Sequence, residues 1–185
     1  MKTGGEMSNK TQAINELNIA YKTEVAGYHF YTTAAAYASD AKGRAVFTNL
    51  AKDELTHIMV ISNISDSLKK GAGWVGFDEA LKTGASLAQK GLPIFPEENE
   101  FVKRLGADRT DLNAVSIGIE IEEAAVEFYS RLLKEAAGAD EKVVLTKLLE
   151  MEKGHLKILR WESESLRKTG FWGETMEYSV EKERE

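Results

Sequence analysis

Two short patterns, Glu-x6-Tyr and then Glu-x2-His, recur in this chain and carry its chemistry. The first copy is Glu24, Tyr31, Glu54 and His57, and the second is Glu122, Tyr129, Glu152 and His155. Each member of the second lies 98 residues after its counterpart. Four positions that hold one offset while their neighbours diverge read as a duplicated unit whose side chains meet at a common point. Glutamate and histidine meeting inside a protein usually mean a metal ion.

The cost of the alternative supports that reading. Burying an ionised carboxylate costs several kcal/mol even after relaxation. Four together rival the roughly 5–15 kcal/mol by which a whole domain is stable. No Lys or Arg shares the seam on which these residues lie, so the seam itself offers no salt-bridge compensation. Two divalent cations would neutralise four carboxylates and accept both imidazoles. Oxygen ligands with two imidazoles suit iron or manganese, and zinc is also accommodated.

The elements that must position these groups are helices. A heptad seam runs through Ile14, Leu17, Tyr21, Glu24, Tyr28 and Tyr31, and another through Phe47, Leu50, Glu54, His57, Ile61 and Ile64. The second half repeats them, through Leu112, Val115, Ile119, Glu122, Val126 and Tyr129, then through Leu145, Leu148, Glu152, His155 and Leu159. The expected helices span about 11–38, 43–70, 111–137 and 140–169. Each has about 28 residues and a length of roughly 40 Å. Ser39, Asp40, Ala41, Lys42 and Gly43 supply the first turn, Gly138, Ala139 and Asp140 the second, and Gly170 a helix stop.

In such hairpins Glu24 lies level with Glu54, and Glu122 with Glu152, while each histidine follows its glutamate by one turn. The connection over 71–110 holds six glycines and both prolines, Pro93 and Pro96, with a short helix expected around Glu79 to Gln89. Two helical hairpins joined in this way make an all-α, ferritin-like four-helix bundle with one long crossover. The whole chain, 1–185, is expected to form a single such domain. Phe171 and Trp172 are expected to anchor the start of an acidic tail, 171–185, that then frays.

Composition limits the alternatives. With 185 residues the chain has enough length for one substantial core. The net charge of −6, without a Lys/Arg stripe, argues against a general nucleic-acid binder. The absence of cysteine excludes disulfides, thiol catalysis and thiolate-held zinc or iron–sulfur centres within this chain. No apolar run approaches the roughly 18 residues of a membrane helix, and MKTGGEMSNKTQ lacks a signal-peptide core. A cytoplasmic protein with no membrane partner is the expectation.

Over roughly residues 11–170 the chain resembles the rubrerythrin and ferritin-like di-iron proteins. Glu24, Phe30, Tyr31, Glu54 and His57 carry the likeness in the first half, and Glu122, Phe128, Tyr129, Glu152 and His155 in the second. The ligand set is the one described for di-iron and di-manganese carboxylate bundles. The resemblance implies that Glu24 and Glu122 each serve one of two iron ions, that Glu54 and Glu152 bridge them, and that His57 and His155 hold one each. It places Tyr31 and Tyr129 beside the carboxylates as ordering or electron-donating groups. Two features depart from the family: there is no cysteine for a rubredoxin-like centre, and Ala125 stands where an additional carboxylate follows the third-helix ligand, with Gly27 at the equivalent place after Glu24.

The functional expectation is an oxidoreductase, a rubrerythrin-like peroxidase reacting with hydrogen peroxide or dioxygen. A separate electron-donor protein would supply it, and the resemblance implies a homodimer. The alternative is iron binding, ferroxidation or iron storage. His29, off the Glu24 face, and Glu120, Glu123 and Glu127 read as structural or solvated. Glu162 reads as partly solvated near a bundle end, and Trp74, Trp161 and Trp172 read as packing groups.

Overall fold

A computed structural model describes residues 4–88 and 99–173. Among them six helices occur and no strand: α1 (Gly4–Tyr37), α2 (Ala41–Lys70), α3 (Phe77–Ala88), α4 (Glu100–Ala107), α5 (Asp111–Glu135) and α6 (Ala139–Thr169). α1 packs along α2 and α5 along α6, forming the two hairpins of a ferritin-like bundle. The tail beyond 173, expected to fray, and the segment holding Pro93 and Pro96 lie outside the described residues.

The helix ends follow local chemistry. Asp40 caps α2, its carboxylate accepting from the Lys42 N–H, and Gly71 closes it at φ 83° with an N–H to Leu68 O. Thr110 caps α5 by accepting from the Asn113 N–H. At the start of α6 the Glu141 carboxylate accepts from the N–H groups of Ala137 and Gly138. Gly170 ends α6 at φ 77°.

The structure departs from the expected boundaries in several places. α1 begins at Gly4 rather than near 11, there being no proline to stop it. The first turn is tighter than expected, because Ala41, Lys42 and Gly43 already belong to α2. The second lies earlier, over Ala136, Ala137 and Gly138, because α5 stops at Glu135 and Ala139 already belongs to α6. The crossover holds a second helix, α4, which was not expected. Asn99 caps it by accepting from Phe101 and Val102, and its Nδ2 donates to Ala26 O on α1. α3 packs on α2 and α6, burying Phe77 and Ala80, while α4 packs on α1 and α5, burying Leu105. Seam residue Leu112 is exposed.

At the chain's end Trp172 is the anchor and Phe171 is not; Phe171 is 73 % exposed. Trp172 lies against Gly43, where a Cβ would stand 2.4 Å from its ring, and its Nε1–H donates to Asp111 at 2.7 Å. The returning backbone also covers Glu162, which accepts from the Gly173 N–H at 2.9 Å. Glu162 is therefore buried rather than solvated.

Two apolar cores fill the bundle. One gathers Leu17, Ile61, Ile64, Leu132, Leu145 and Leu148, and the other Phe30, Phe47, Leu50, Val115, Ile117 and Leu159. Each such side chain, fully buried, contributes about 1.5–3 kcal/mol. On every long helix the polar positions fall between residues of these two cores, so both ends of the interior are sealed against water around the middle.

Candidate metal centre

The middle of the bundle is where the two repeats meet. α1 brings Glu24, α2 Glu54 and His57, α5 Glu122, and α6 Glu152 and His155. All six are buried, none more than 3 % exposed. The His57 and His155 rings stack with centroids 5.6 Å apart. Glu24, Glu54, His57 and Glu152 each offer a ligand atom within one 4.8 Å group, as do Glu54, Glu122, Glu152 and His155. Glu54 and Glu152 belong to both.

The oxygens divide into two kinds. Tyr129 donates its hydroxyl to Glu24 Oε1, leaving Oε2 to face His57 Nδ1 at 3.3 Å. Tyr31 donates to Glu122 Oε1, leaving Oε2 to face His155 Nδ1 at 3.6 Å. Each of these carboxylates thus has one oxygen tied to the opposite hairpin and one turned inward. Glu54 and Glu152 instead span the gap. Glu54 Oε2 lies 3.5 Å from His57 Nδ1 and Oε1 3.8 Å from His155 Nδ1. Glu152 Oε1 lies 2.9 Å from His57 Nδ1 and Oε2 3.3 Å from His155 Nδ1.

These close approaches are not all hydrogen bonds. Glu122 Oε2, both oxygens of Glu152, His155 Nδ1 and His57 Nε2 are buried without a hydrogen-bond partner among the described residues. Orphaned buried polar atoms are rare and costly. Three of these five, Glu122 Oε2, Glu152 Oε2 and His155 Nδ1, face one another and Glu152 Oε1 faces His57 Nδ1, a donor set that fits two cations held between shared carboxylates. The ion pairs of Arg104 with Glu120, Arg131 with Glu16 and Arg160 with Glu123 lie on the outside of the bundle. Glu120 and Glu123 are accounted for there, Glu127 is exposed, and half-buried His29 sits against Tyr28.

Without a cation the cluster must balance itself with protons. Burial, and then the charge of Glu152, push Glu122 up to about 8. Burial, then Glu24 and Glu152, raise Glu54 well above the ordinary carboxylate range. Burial opposes ionisation of Glu152 too, but the His57 and His155 rings outweigh it and hold Glu152 below its usual value. Burial disfavours charge on both rings as well. The carboxylates overcome it, chiefly Glu152 at His57 and Glu122 at His155, and raise both well above 6.5. Burial followed by the neighbouring carboxylates lifts Tyr31 and Tyr129 well above 10, so both keep their hydroxyl protons.

One neighbour escaped the sequence reading. Asp53 Oδ2 lies 3.3 Å from His155 Nε2, on the outer side of that ring. Asp53 is off the apolar seam, and only its adjacency to Glu54 could have drawn attention to it.

A family model described as Rubrerythrin matches residues 15–162, a span that includes all six cluster residues and both tyrosines. Neither a curated protein nor a solved structure matches the chain.

Proposed function

The chain belongs to the rubrerythrin family, and from that premise we propose that its buried cluster holds two iron ions and reduces hydrogen peroxide or dioxygen. The observation that carries the reading is the division of the carboxylates. Two span the cluster, touching both histidines, and two present a single free oxygen to one side. In this reading Glu54 and Glu152 are shared ligands, Glu24 and His57 complete one position, and Glu122 and His155 complete the other.

Bound there, a pair of redox-active ions supplies the two electrons that reduction of a peroxide O–O bond to water requires. The chain's own residues prepare the place. Tyr31 and Tyr129 fix one oxygen of Glu122 and of Glu24, so the free oxygen keeps its direction. The apolar cores on either side exclude bulk water and strengthen every charge interaction inside. Electrons come from a separate donor protein, since the chain has no cysteine to hold an iron–sulfur or rubredoxin-like centre of its own. The reading includes a single domain that pairs as a homodimer.

Purified protein loaded with ferrous iron and given a surrogate electron donor is expected to consume peroxide in proportion to bound iron. Iron-loaded protein that leaves peroxide untouched would overturn the proposal. A second reading, ferroxidation with iron binding or storage, is favoured by buried Ala125 standing where the family resemblance places a further carboxylate. Light scattering separates the two, because storage requires a many-subunit shell and the first reading a dimer.

A further inference from the structure

The two halves of the cluster match residue for residue until the outer nitrogens of the histidines are considered. His155 Nε2 faces Asp53 Oδ2 at 3.3 Å, whereas His57 Nε2 is buried with no hydrogen-bond partner among the described residues. The repeat accounts for the difference. The residue 98 positions after Asp53 is Met151, so the side chain that would serve His57 by symmetry is a thioether where its counterpart is a carboxylate.

We infer that Asp53 is a positioning residue that makes the two metal positions unequal, the one at His155 and Glu122 binding first and more tightly. This rests on the reading of the cluster as a two-metal centre. An imidazole that binds metal through Nδ1 carries its proton on Nε2. Donating that proton to a carboxylate fixes the ring and raises its basicity, and loss of such a partner typically costs roughly 10- to 100-fold in metal affinity. His155 has this partner. His57 must bind with a buried N–H that has no acceptor among the described residues, which lowers its affinity.

The surroundings of Asp53 suit the role. A groove of about 110 Å³ between α2 and α6, lined in part by Asn49, Asp53, Lys157, Trp161 and Glu162, opens beside it. The Asp53 side chain is 49 % exposed while the ring it faces is 2 % exposed. Its carboxylate therefore needs no costly desolvation to stand beside a buried ligand. It also makes the His155 position the one in polar contact with the outside.

The test is a titration of the metal-free full-length protein with Mn²⁺ by calorimetry, paired with crystals soaked at one equivalent per chain. Two binding steps are expected, the first tighter by roughly 10- to 100-fold, with anomalous scattering concentrated between Glu122 and His155. Asp53→Asn, a change at a half-exposed site, is expected to weaken the first step by a similar factor and leave the second in place. Met151→Asp is expected to tighten the second; Asp53→Asn alone decides the matter if that variant does not fold. Equal filling of both positions, or a loss shared equally by both steps in Asp53→Asn, overturns the inference while sparing the two-metal reading. Failure of the wild-type protein to bind Mn²⁺, Fe²⁺ or Zn²⁺ at all overturns both.

Discussion

Tyr129 of the second hairpin holds Glu24 of the first through a hydrogen bond from its hydroxyl to Oε1, and Tyr31 returns the same bond to Glu122. The tyrosine of each half thus aims a carboxylate of the other. Replacing Tyr129 by Phe leaves Glu24 Oε1 buried without this donor. That is expected to destabilise the metal-free protein by about 1–3 kcal/mol in urea denaturation. Metal stoichiometry should hold while affinity falls roughly 10- to 100-fold. An affinity unchanged in Tyr129→Phe would mean that the bond orients nothing.

Glu152 lies within 3.3 Å of both imidazoles, and its removal should therefore affect both positions at once. In Glu152→Gln, elemental analysis is expected to find neither metal retained, whereas His57→Ala should keep the ion at the other position. Near pH 6 the metal-free Glu152→Gln protein also loses the main counter-charge of the protonated His57 ring, a loss of about 3–5 kcal/mol by analogy with broken buried pairs. Retention of one ion in Glu152→Gln argues against a shared ligand.

The protons that hold the metal-free cluster together set a pH dependence of definite sign. Glu54, Glu122, His57 and His155 all have folded-state pKa values raised above their ordinary ones. Their contribution is complete below the unfolded values, 4.5 for the glutamates and 6.5 for the histidines, and is lost as pH rises through the folded ones, about 8 for Glu122. Glu152, with a lowered value, contributes above 4.5 and loses that contribution as pH falls. Between about pH 5 and 9 the melting midpoint of metal-free protein is therefore expected to fall, each kcal/mol moving it by about 2–4 °C. Metal-loaded protein should show the opposite slope, because its ligands must be deprotonated to bind. Calorimetric melts of both forms across this range decide it; parallel slopes would refute the account.

Gly43 makes room for the Trp172 ring, and a Cβ there would stand 2.4 Å from Cε2. Gly43→Ala gains about 1 kcal/mol of helix propensity. Against that, the ring must shift, at about 1–3 kcal/mol, and its bond to Asp111 is put at risk. The substitution is expected to destabilise the wild-type protein and to stabilise a Trp172→Ala background. A double-mutant cycle with no coupling between the two positions would remove Trp172 as the reason for the glycine.

The parts of this molecule that were legible in the sequence are those whose cause is local and periodic. Glu24, Glu54, His57, Glu122, Glu152 and His155 stood out because polar residues on an apolar seam need an explanation, and the structure gathers all six in one place. What was illegible depends on chain segments that meet only after folding. Gly43 looked like turn punctuation, because the indole it accommodates comes from the far end of the described chain. Glu162 looked solvated until Gly173 folded back over it. α4, only eight residues long, gave too short a period to register beside the glycines around it. Asp53 drew no reading from the sequence, since the ring it faces, His155, is on another helix.

The interlock of Tyr31 with Glu122 and of Tyr129 with Glu24 has an evolutionary corollary. A single hairpin carries one of every component, so a gene of half this length could have closed the same chamber by pairing with its own twin. In such a pair every substitution would appear twice, and the two halves of the cluster would be indistinguishable. Within one polypeptide each half can change alone, and the repeat-equivalent positions Asp53 and Met151 differ in that way.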